Sequence, residues 1–242
     1  MDHREERADL AAAFRWAARN NWHEAIANHF SLAVSDDGKK FLINPNGRHF
    51  ARIRASDLLL CDATDSETLN RPDAPDATAW GQHGSVHRNI PWARCALHLH
   101  SKYATVLASL ADSSIPPIDQ NTAMFYGRTV VDDGFSGLAF EDEGERVCGL
   151  LTGRQKRTLV MGNHGVMVIG ETVAEAWNTL YYFERACETY ITALATGREL
   201  RVLSHNIAMK TAEQMNTYSD VIDNHLGELR AILDAEGSDY AA

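Results

Sequence analysis

The chain has 242 residues, enough for one large domain or two small ones whose core needs no disulfides. Its formal net charge of −10 argues against a nucleic-acid or anionic-membrane surface, so we expect neither partner. The charged start Met1–Glu6 has no apolar stretch, and no apolar run approaches the roughly 18 residues of a membrane span. Four cysteines without C-x-x-C spacing are typical of reduced, buried thiols, which favours a cytoplasmic location.

The first half of the chain is predicted to hold a helix followed by a hairpin. Apolar residues at helical spacing predict an amphipathic helix over residues 4–20. The turn signal Asp36-Asp37-Gly38 separates two strands that we predict over residues 26–34 and 41–43. The other elements predicted here are a third strand, a long polar loop and a short helix, over residues 58–61, 62–80 and 85–92.

The second half contains two histidine-bearing apolar runs among predicted helices. Ala96–His100 is predicted as a strand, and residues 158–169, which include His164, as a hairpin or one core strand. Strands and helices alternate without regular βαβ units, which indicates a mixed or antiparallel sheet between helices. The remaining predictions are a strand at 129–131, helices at 102–110, 141–153, 173–196 and 208–235, and a frayed tail at 237–242.

Three histidines form a candidate metal site. His98 and His100 are two residues apart, so on a strand both imidazoles project from the same face. His164 is the candidate third ligand, and three imidazoles with an open position are a ligand set of catalytic zinc. The alternative is that these are ordinary strand histidines bonded to the backbone. The metal prediction requires the His164 nitrogen to lie within about 5 Å of the other two, since zinc–nitrogen bonds are about 2 Å long.

Four ordered motifs over roughly residues 8–200 resemble the class II aldolase/adducin-head family. They are Ala27-Asn28-His29-Phe30-Ser31, Leu42-Ile43-Asn44-Pro45-Asn46-Gly47, His98-Leu99-His100 and Asn163-His164-Gly165. The family includes sugar-phosphate aldolases, epimerases and dehydratases, and also adducin, a cytoskeletal protein without known catalysis.

The resemblance implies a fold, a cofactor and an assembly. The fold would be an α/β/α sandwich around a mostly antiparallel mixed sheet, spanning residues 8–205, with residues 206–242 as a helical extension of the same domain. Each subunit would hold one divalent metal. Zinc is the usual metal of the family, although the ligand set would also accept Mn, Co or Fe. Bound to substrate oxygens, that metal would act as a Lewis acid and stabilise an enediolate. A homotetramer with sites at subunit boundaries is also implied.

The chain departs from the family's aldolases where they carry an acid and bind phosphate. His83 stands where the resemblance implies a catalytic glutamate, four residues before His87, and Gly81-Gln82 replaces two serines. We predict His83 as a general acid/base, with a fourth metal ligand and a surface loop histidine as the alternatives. His87 is predicted either to pack in a helix or to contact the residues that form the site.

The remaining candidate residues come from the family's substrate loops. Asn28, His29, Asn46 and Gly47 are the implied substrate-binding residues of the first two motifs, with Asn46 replacing a threonine. Gln120 stands at the position of the family's catalytic tyrosine and is kept as a substrate-binding candidate. The nearby Tyr126 is predicted to serve as that tyrosine.

Three functions follow from this pattern. The first is a metal-dependent lyase that cleaves or decarboxylates a small non-phosphorylated oxo- or hydroxy-acid, because the metal triad is kept while the phosphate residues are lost. The second is a sugar-phosphate aldolase, epimerase or dehydratase. The third is a non-catalytic, adducin-like binding module, which would have no need for three convergent imidazoles.

Overall fold

The computed structural model describes residues 2–134, 137, 143–215, 217 and 219–242. Its seven strands form one sheet in the order β3-β2-β1-β4-β7-β6-β5. All neighbouring strands in it run antiparallel except β5 and β6, which are parallel. The strands are β1 His29–Ala33, β2 Lys40–Ile43, β3 Leu59–Asp62, β4 Cys95–Leu99, β5 Thr129–Asp132, β6 Thr158–Met161 and β7 Gly165–Gly170.

Eight α-helices lie in the described part of the chain. They are α1 Arg4–Arg19, α2 Ala77–Asn89, α3 Lys102–Ala108, α4 Gln120–Met124, α5 Glu143–Leu150, α6 Val173–Ala195, α7 His205–Met215 and α8 Ser219–Ala235. None of these helices combines the length and the apolar character that a membrane span requires.

Two hydrophobic layers cover opposite faces of the sheet, as the alternation of β4 shows. Leu97 and Leu99 pack with α1, α3, α6 and α8 in the larger core, whereas Ala96 packs in a second core with Val86 of α2 and Val147 of α5. Successive strand residues point to opposite faces, so β4, β6 and β7 each contribute to both cores. The result is the predicted α/β/α sandwich around a mostly antiparallel mixed sheet.

The same alternation along the strands places polar residues on the sheet face that α2 covers. His98 points to the same face as Ala96, and the antiparallel register places His29 opposite His98 and Ser31 opposite Ala96. On α2, His83 and His87 are four residues apart and therefore lie on one side of the helix. This arrangement brings His29 and Ser31 of β1 into contact with His83 and His87 of α2.

Several predicted boundaries are wrong for identifiable reasons. The predicted polar loop 62–80 contains a short 3₁₀ turn, Ser66–Asn70, and the start of α2. Helix α2 begins eight residues before the predicted short helix because the Asp76 carboxylate accepts hydrogen bonds from the N–H groups of Thr78 and Ala79 and caps it. The predicted helix over residues 141–153 ends earlier, at Leu150, and residues 141 and 142 lie outside the described part.

The C-terminal predictions need similar correction. The helix predicted over 208–235 is two helices, α7 and α8. The tail is not frayed, since Tyr240 is buried and its carbonyl accepts a hydrogen bond from Ala55 N–H. Helix α8 packs against α1 and α6. The division into residues 8–205 and a C-terminal extension stays a prediction.

Candidate metal centre and pocket

Three histidines converge where β4 meets the β6–β7 turn. His98 lies in β4, His100 directly follows that strand, and His164 lies in the turn itself rather than in a strand. One ring nitrogen from each lies within 4.8 Å of the others, and the Nε2 atoms of His98 and His100 are 3.1 Å apart. The distance that the metal prediction required is therefore met.

The hydrogen bonds of His98 and His100 leave their Nε2 atoms for a ligand. His98 Nδ1 lies 3.0 Å from the carbonyl oxygen of Val166, and His100 Nδ1 is bonded to the Glu24 carboxylate. A carbonyl and a carboxylate can only accept, so both Nδ1 atoms carry a hydrogen. In the neutral rings, the two Nε2 lone pairs then face each other, an arrangement that a shared cation makes favourable.

Burial favours the neutral form of His98 and His164. Desolvation, with smaller contributions from the neighbouring histidines, holds the pKa of His98 well below its ordinary value. Burial also lowers the pKa of His164. Neutral imidazole is the form that binds a metal, so the residues present fit a divalent cation with nitrogen ligands.

Gly165 allows the His164 turn to approach β4. A Cβ atom on Gly165 would lie 2.5 Å from the Leu99 carbonyl oxygen and 2.8 Å from Cδ2 of His100. Asn163 takes a left-handed conformation with φ of 56°, which asparagine adopts more readily than most residues. The Asn-His-Gly sequence therefore sets a close turn as well as supplying the third histidine of the cluster.

A pocket of about 200 Å³ opens above the triad. None of its described lining residues is a lysine or an arginine, and one of them, Asp76, is a carboxylate. Although burial opposes ionisation of Asp76, hydrogen bonds from the Thr78 hydroxyl and backbone N–H groups hold its pKa below the ordinary value. The lining residues are Ile26, Ala27, Asn28, His29, Asn44, Asn46, Asp76, Thr78, Ala79, Gln82, His98, His100, Gly137 and His164.

Asn28 lines the pocket and carries a buried side-chain amide. Its backbone is left-handed, with φ of 75°, and its Oδ1 atom accepts from Glu24 N–H at 2.8 Å. The buried Nδ2 atom has no hydrogen-bond partner among the described residues. A buried donor without a partner is costly, so a bound molecule that accepts from it would gain affinity.

The predicted acid/base His83 lies outside the pocket lining. It is fully buried in α2, which excludes the surface loop alternative, and it is not part of the convergent ligand cluster. Its Nε2 atom lies 2.7 Å from His29 Nδ1, and its Nδ1 atom is bonded to the Ser31 hydroxyl. With both ring nitrogens bonded inside the protein, His83 meets the pocket only through His29.

His87, predicted to pack in a helix, is also buried. Its Nε2 atom lies 2.7 Å from Ser31 Oγ, and its Nδ1 atom lies 2.9 Å from the Ala93 carbonyl oxygen. Burial lowers the pKa of His87 to about 4 and that of His29 to about 3.

Three predicted site residues do not join the triad within one chain. Gly47, with φ of 73°, lies in the loop after β2 but not among the lining residues. Gln120 Nε2 lies 3.6 Å from the Met215 sulfur, and Tyr126 Oη lies 3.1 Å from His205 Nδ1. Their roles in substrate binding and catalysis stay predictions.

Sequence reasoning missed Glu24, Ser31 and Asp76. The pairing of Glu24 with His100 spans 76 residues and has no local signal. The spacings His29-x-Ser31 and His83-x-x-x-His87 could have indicated a shared polar face, because they match strand and helix periods respectively. Asp76 is an aspartate just before α2, the residue type that caps helices, but several other aspartates in the same polar stretch concealed this signal.

Comparison with known proteins places the chain in one family. The family model described as the class II aldolase and adducin N-terminal domain matches residues 8–191. A Caulobacter vibrioides protein with the provisional name aldolase class 2 protein is 32% identical over 203 residues, covering 84% of this chain and 77% of that protein. Decarboxylase NovR of Streptomyces niveus is 27% identical over 212 residues, covering 86% and 76%.

A solved structure agrees with these relatives. The crystal structure of an aldolase II superfamily protein from Pseudomonas syringae superposes with a TM-score of 0.88 at 29% identity, covering 99% of this chain and 96% of that one. The chain therefore belongs to the class II aldolase and adducin N-terminal domain family.

Proposed function

We propose that this protein is a divalent-metal-dependent lyase that cleaves or decarboxylates a small, non-phosphorylated oxo- or hydroxy-acid. The observation that carries the proposal is the convergence of His98, His100 and His164 beneath a pocket, within 4.8 Å of one another. A divalent cation held there would supply a Lewis acid for oxygen atoms of the substrate. A binding module would gain nothing from ligands oriented in this way.

The polar groups of the pocket support an acid rather than a sugar phosphate. Phosphate recognition uses several N–H or O–H donors and usually a cation. The described lining has no lysine or arginine, and the Asp76 carboxylate already accepts hydrogen bonds from Thr78 N–H and Ala79 N–H. A dianionic phosphate would have to displace or approach that carboxylate. The free Nδ2 group of Asn28 is sufficient for one carboxylate or carbonyl oxygen.

One relative carries a name that agrees with this substrate class. NovR is named a decarboxylase, and 27% identity over most of both chains supports related chemistry here. Its substrate is not transferred to this chain, because substrate contacts change within a family.

The finer parts of the proposal follow the same reasoning. We propose zinc as the metal, since three neutral nitrogen ligands and an open position suit it. The substrate would be small, given a pocket of about 200 Å³. We propose a homotetramer in the cytoplasm, where the four free cysteines would stay reduced.

Metal analysis and a substrate panel together test the proposal. We expect about one equivalent of divalent metal per chain in the wild type and in His3→Ala, a control histidine outside the pocket, and none in His98→Ala. Depletion of 2-oxo acids, aromatic acids and sugar phosphates would then be followed with the metal-loaded protein. We expect turnover of an acid, its loss in His98→Ala, and no turnover of sugar phosphates.

Two results would contradict the proposal. A wild type that binds no metal and equals His98→Ala in every assay would favour the binding module. Turnover of a sugar phosphate in preference to every acid would favour the phosphosugar enzymes.

A further inference from the structure

A continuous line of hydrogen bonds runs from the pocket to the interior beneath α2. It begins at His29, passes through His83 and Ser31 to His87, and ends at the Ala93 carbonyl oxygen. The side chains come from β1 and α2, and the carbonyl group comes from the turn before β4. We call the four side chains, those of His29, His83, Ser31 and His87, the histidine relay.

The backbone end of the relay determines where each hydrogen lies. The Ala93 carbonyl can only accept, so His87 carries its hydrogen on Nδ1, 2.9 Å away. In the neutral ring His87 Nε2 is then an acceptor, and the Ser31 hydroxyl donates to it across 2.7 Å. Having given its only hydrogen to His87, Ser31 must accept the one from His83 Nδ1.

The positions of the ring hydrogens in His83 and His29 follow in the same way. His83 with hydrogen on Nδ1 has an acceptor at Nε2, so His29 donates from its Nδ1 atom across 2.7 Å. His29 Nε2 is therefore left without hydrogen and presents a lone pair. The His29 ring lines the pocket and stacks on His98, with ring centroids 4.8 Å apart. Every member has a partner in this assignment, whereas reversing any one bond sets two donors or two acceptors against each other.

We propose that the relay fixes His29 as the hydrogen-bond acceptor for a hydroxyl group of the bound molecule. His83, Ser31 and His87 are positioning residues, since they act on the pocket only through the His29 ring. The inference rests on the proposed function in one respect, namely that a small acid occupies this pocket.

The proposal narrows the substrate class. An acceptor beside the metal ligands matches a molecule whose hydroxyl donates to His29, while Asn28 Nδ2 donates to a second, accepting oxygen. A 2-hydroxy acid offers both a donating hydroxyl and an accepting carboxylate. The corresponding methyl ether keeps both oxygens but has no hydrogen to donate.

Imidazole nitrogen spectra test the relay without any substrate. In metal-free protein labelled with ¹⁵N at histidine, two-bond proton–nitrogen correlations distinguish protonated from bare ring nitrogens. We expect His29, His83 and His87 each to carry hydrogen on Nδ1 only, at a pH above 7.5. His29→Gln, His83→Gln and His87→Gln assign the signals. A wild-type His29 protonated on Nε2 would overturn the proposal.

The Ser31→Ala variant tests whether the relay determines which nitrogen of His29 carries the hydrogen. Without the hydroxyl, His83 Nδ1–H loses its acceptor, so the hydrogen of His83 moves to Nε2 and that of His29 is driven to its own Nε2 atom. We expect the His29 Nε2 signal to shift toward the protonated position in this variant and not in Ser113→Ala, a control at another buried serine. An unchanged His29 signal in Ser31→Ala would contradict the relay.

Binding measurements test the acceptor role itself. Zinc-loaded protein would be titrated with lactate and with 2-methoxypropanoate, followed by calorimetry. One hydrogen bond of about 1 kcal/mol predicts roughly fivefold tighter binding of lactate, a preference that Ser31→Ala removes. Equal affinity of the wild type for both would overturn the acceptor role. Binding of neither acid would count against the proposed small-acid function, while the nitrogen spectra would still decide the relay.

Discussion

At His100, a single carboxylate decides which ring nitrogen is available to a metal. Glu24 accepts from His100 Nδ1, although its own side chain is 62% exposed. Such partners orient a ligand ring and raise its basicity, and their loss typically lowers metal affinity by about 10- to 100-fold.

We therefore expect Glu24→Ala to weaken zinc binding by about tenfold or more, and Glu24→Gln to weaken it less because the amide oxygen still accepts. Competition against a chromophoric chelator measures both affinities. Glu67→Gln, at an exposed glutamate far along the chain, is the control. Unchanged affinity in Glu24→Ala would show that His100 needs no such partner.

His87 predicts how stability depends on pH. Burial lowers its pKa in the folded protein to about 4, against 6.5 for the unfolded chain. The unfolded state thus binds a proton first, so this stability is fully present above pH 6.5 and is lost as the pH falls toward 4. At 1.36 kcal/mol per pKa unit, the loss amounts to about 3 kcal/mol.

Urea unfolding in the presence of a chelator, between pH 7.5 and pH 4, measures this loss. We expect the wild type to lose stability more steeply than His87→Gln between pH 6.5 and pH 4. Parallel curves for the two proteins in that window would contradict the assignment of His87 as a buried neutral ring.

Among the elements, the β6–β7 turn sets the distance between His164 and the other two histidines of the cluster. Gly165→Ala would place a methyl group against Leu99 O and the His100 ring, both closer than van der Waals contact allows. We expect a destabilisation of about 1–3 kcal/mol, together with weaker zinc binding.

Gly149→Ala provides the matched control for this change. A Cβ atom at Gly149 in α5 would have no neighbour within 4 Å, so we expect stability to be unchanged or raised by up to about 1 kcal/mol. Thermal unfolding and the chelator competition report both quantities. Equal behaviour of the two alanine variants would show that the turn tolerates a side chain.

Elements with strong local signals were predictable from the sequence, and those defined by remote contacts were not. Helix α1 and strand β4 follow from apolar spacing, and the three convergent histidines follow from two short motifs. The start of α2 was hidden because Asp76 lies in a polar stretch. The histidine relay was hidden because it needs the β1–β4 register and the packing of α2 together. The buried tail depends on the Ala55–Tyr240 bond, which no periodicity reveals.

At the scale of the whole molecule, the positions of Gln120 and Tyr126 away from the pocket bear on whether the protein forms an oligomer. Both were predicted from the resemblance as site residues, yet each contacts the α7 region instead of the pocket. The resemblance also implies sites at subunit boundaries, which would let these residues reach the pocket of a neighbouring copy.

We accordingly predict a tetramer of about 107 kDa, four times the chain mass of 26.8 kDa, in sedimentation velocity across a dilution series. Tyr126→Phe should then lower turnover by about a hundredfold or more, a size typical of a lost proton-transfer group, while zinc affinity stays unchanged. A monomer at all concentrations would contradict this role for Tyr126.

The Asp76 cap of α2 affects how the protein responds to inorganic anions in solution. Because this negative group is part of the chain, it cannot be washed out or exchanged, and it meets the helix N–H groups in any buffer above its pKa. Sulfate from a crystallisation drop, or inorganic phosphate from an assay mixture, would compete with this carboxylate for the same N–H groups. Kinetic work on this protein should thus tolerate phosphate-buffered solutions that would inhibit a phosphate-binding relative.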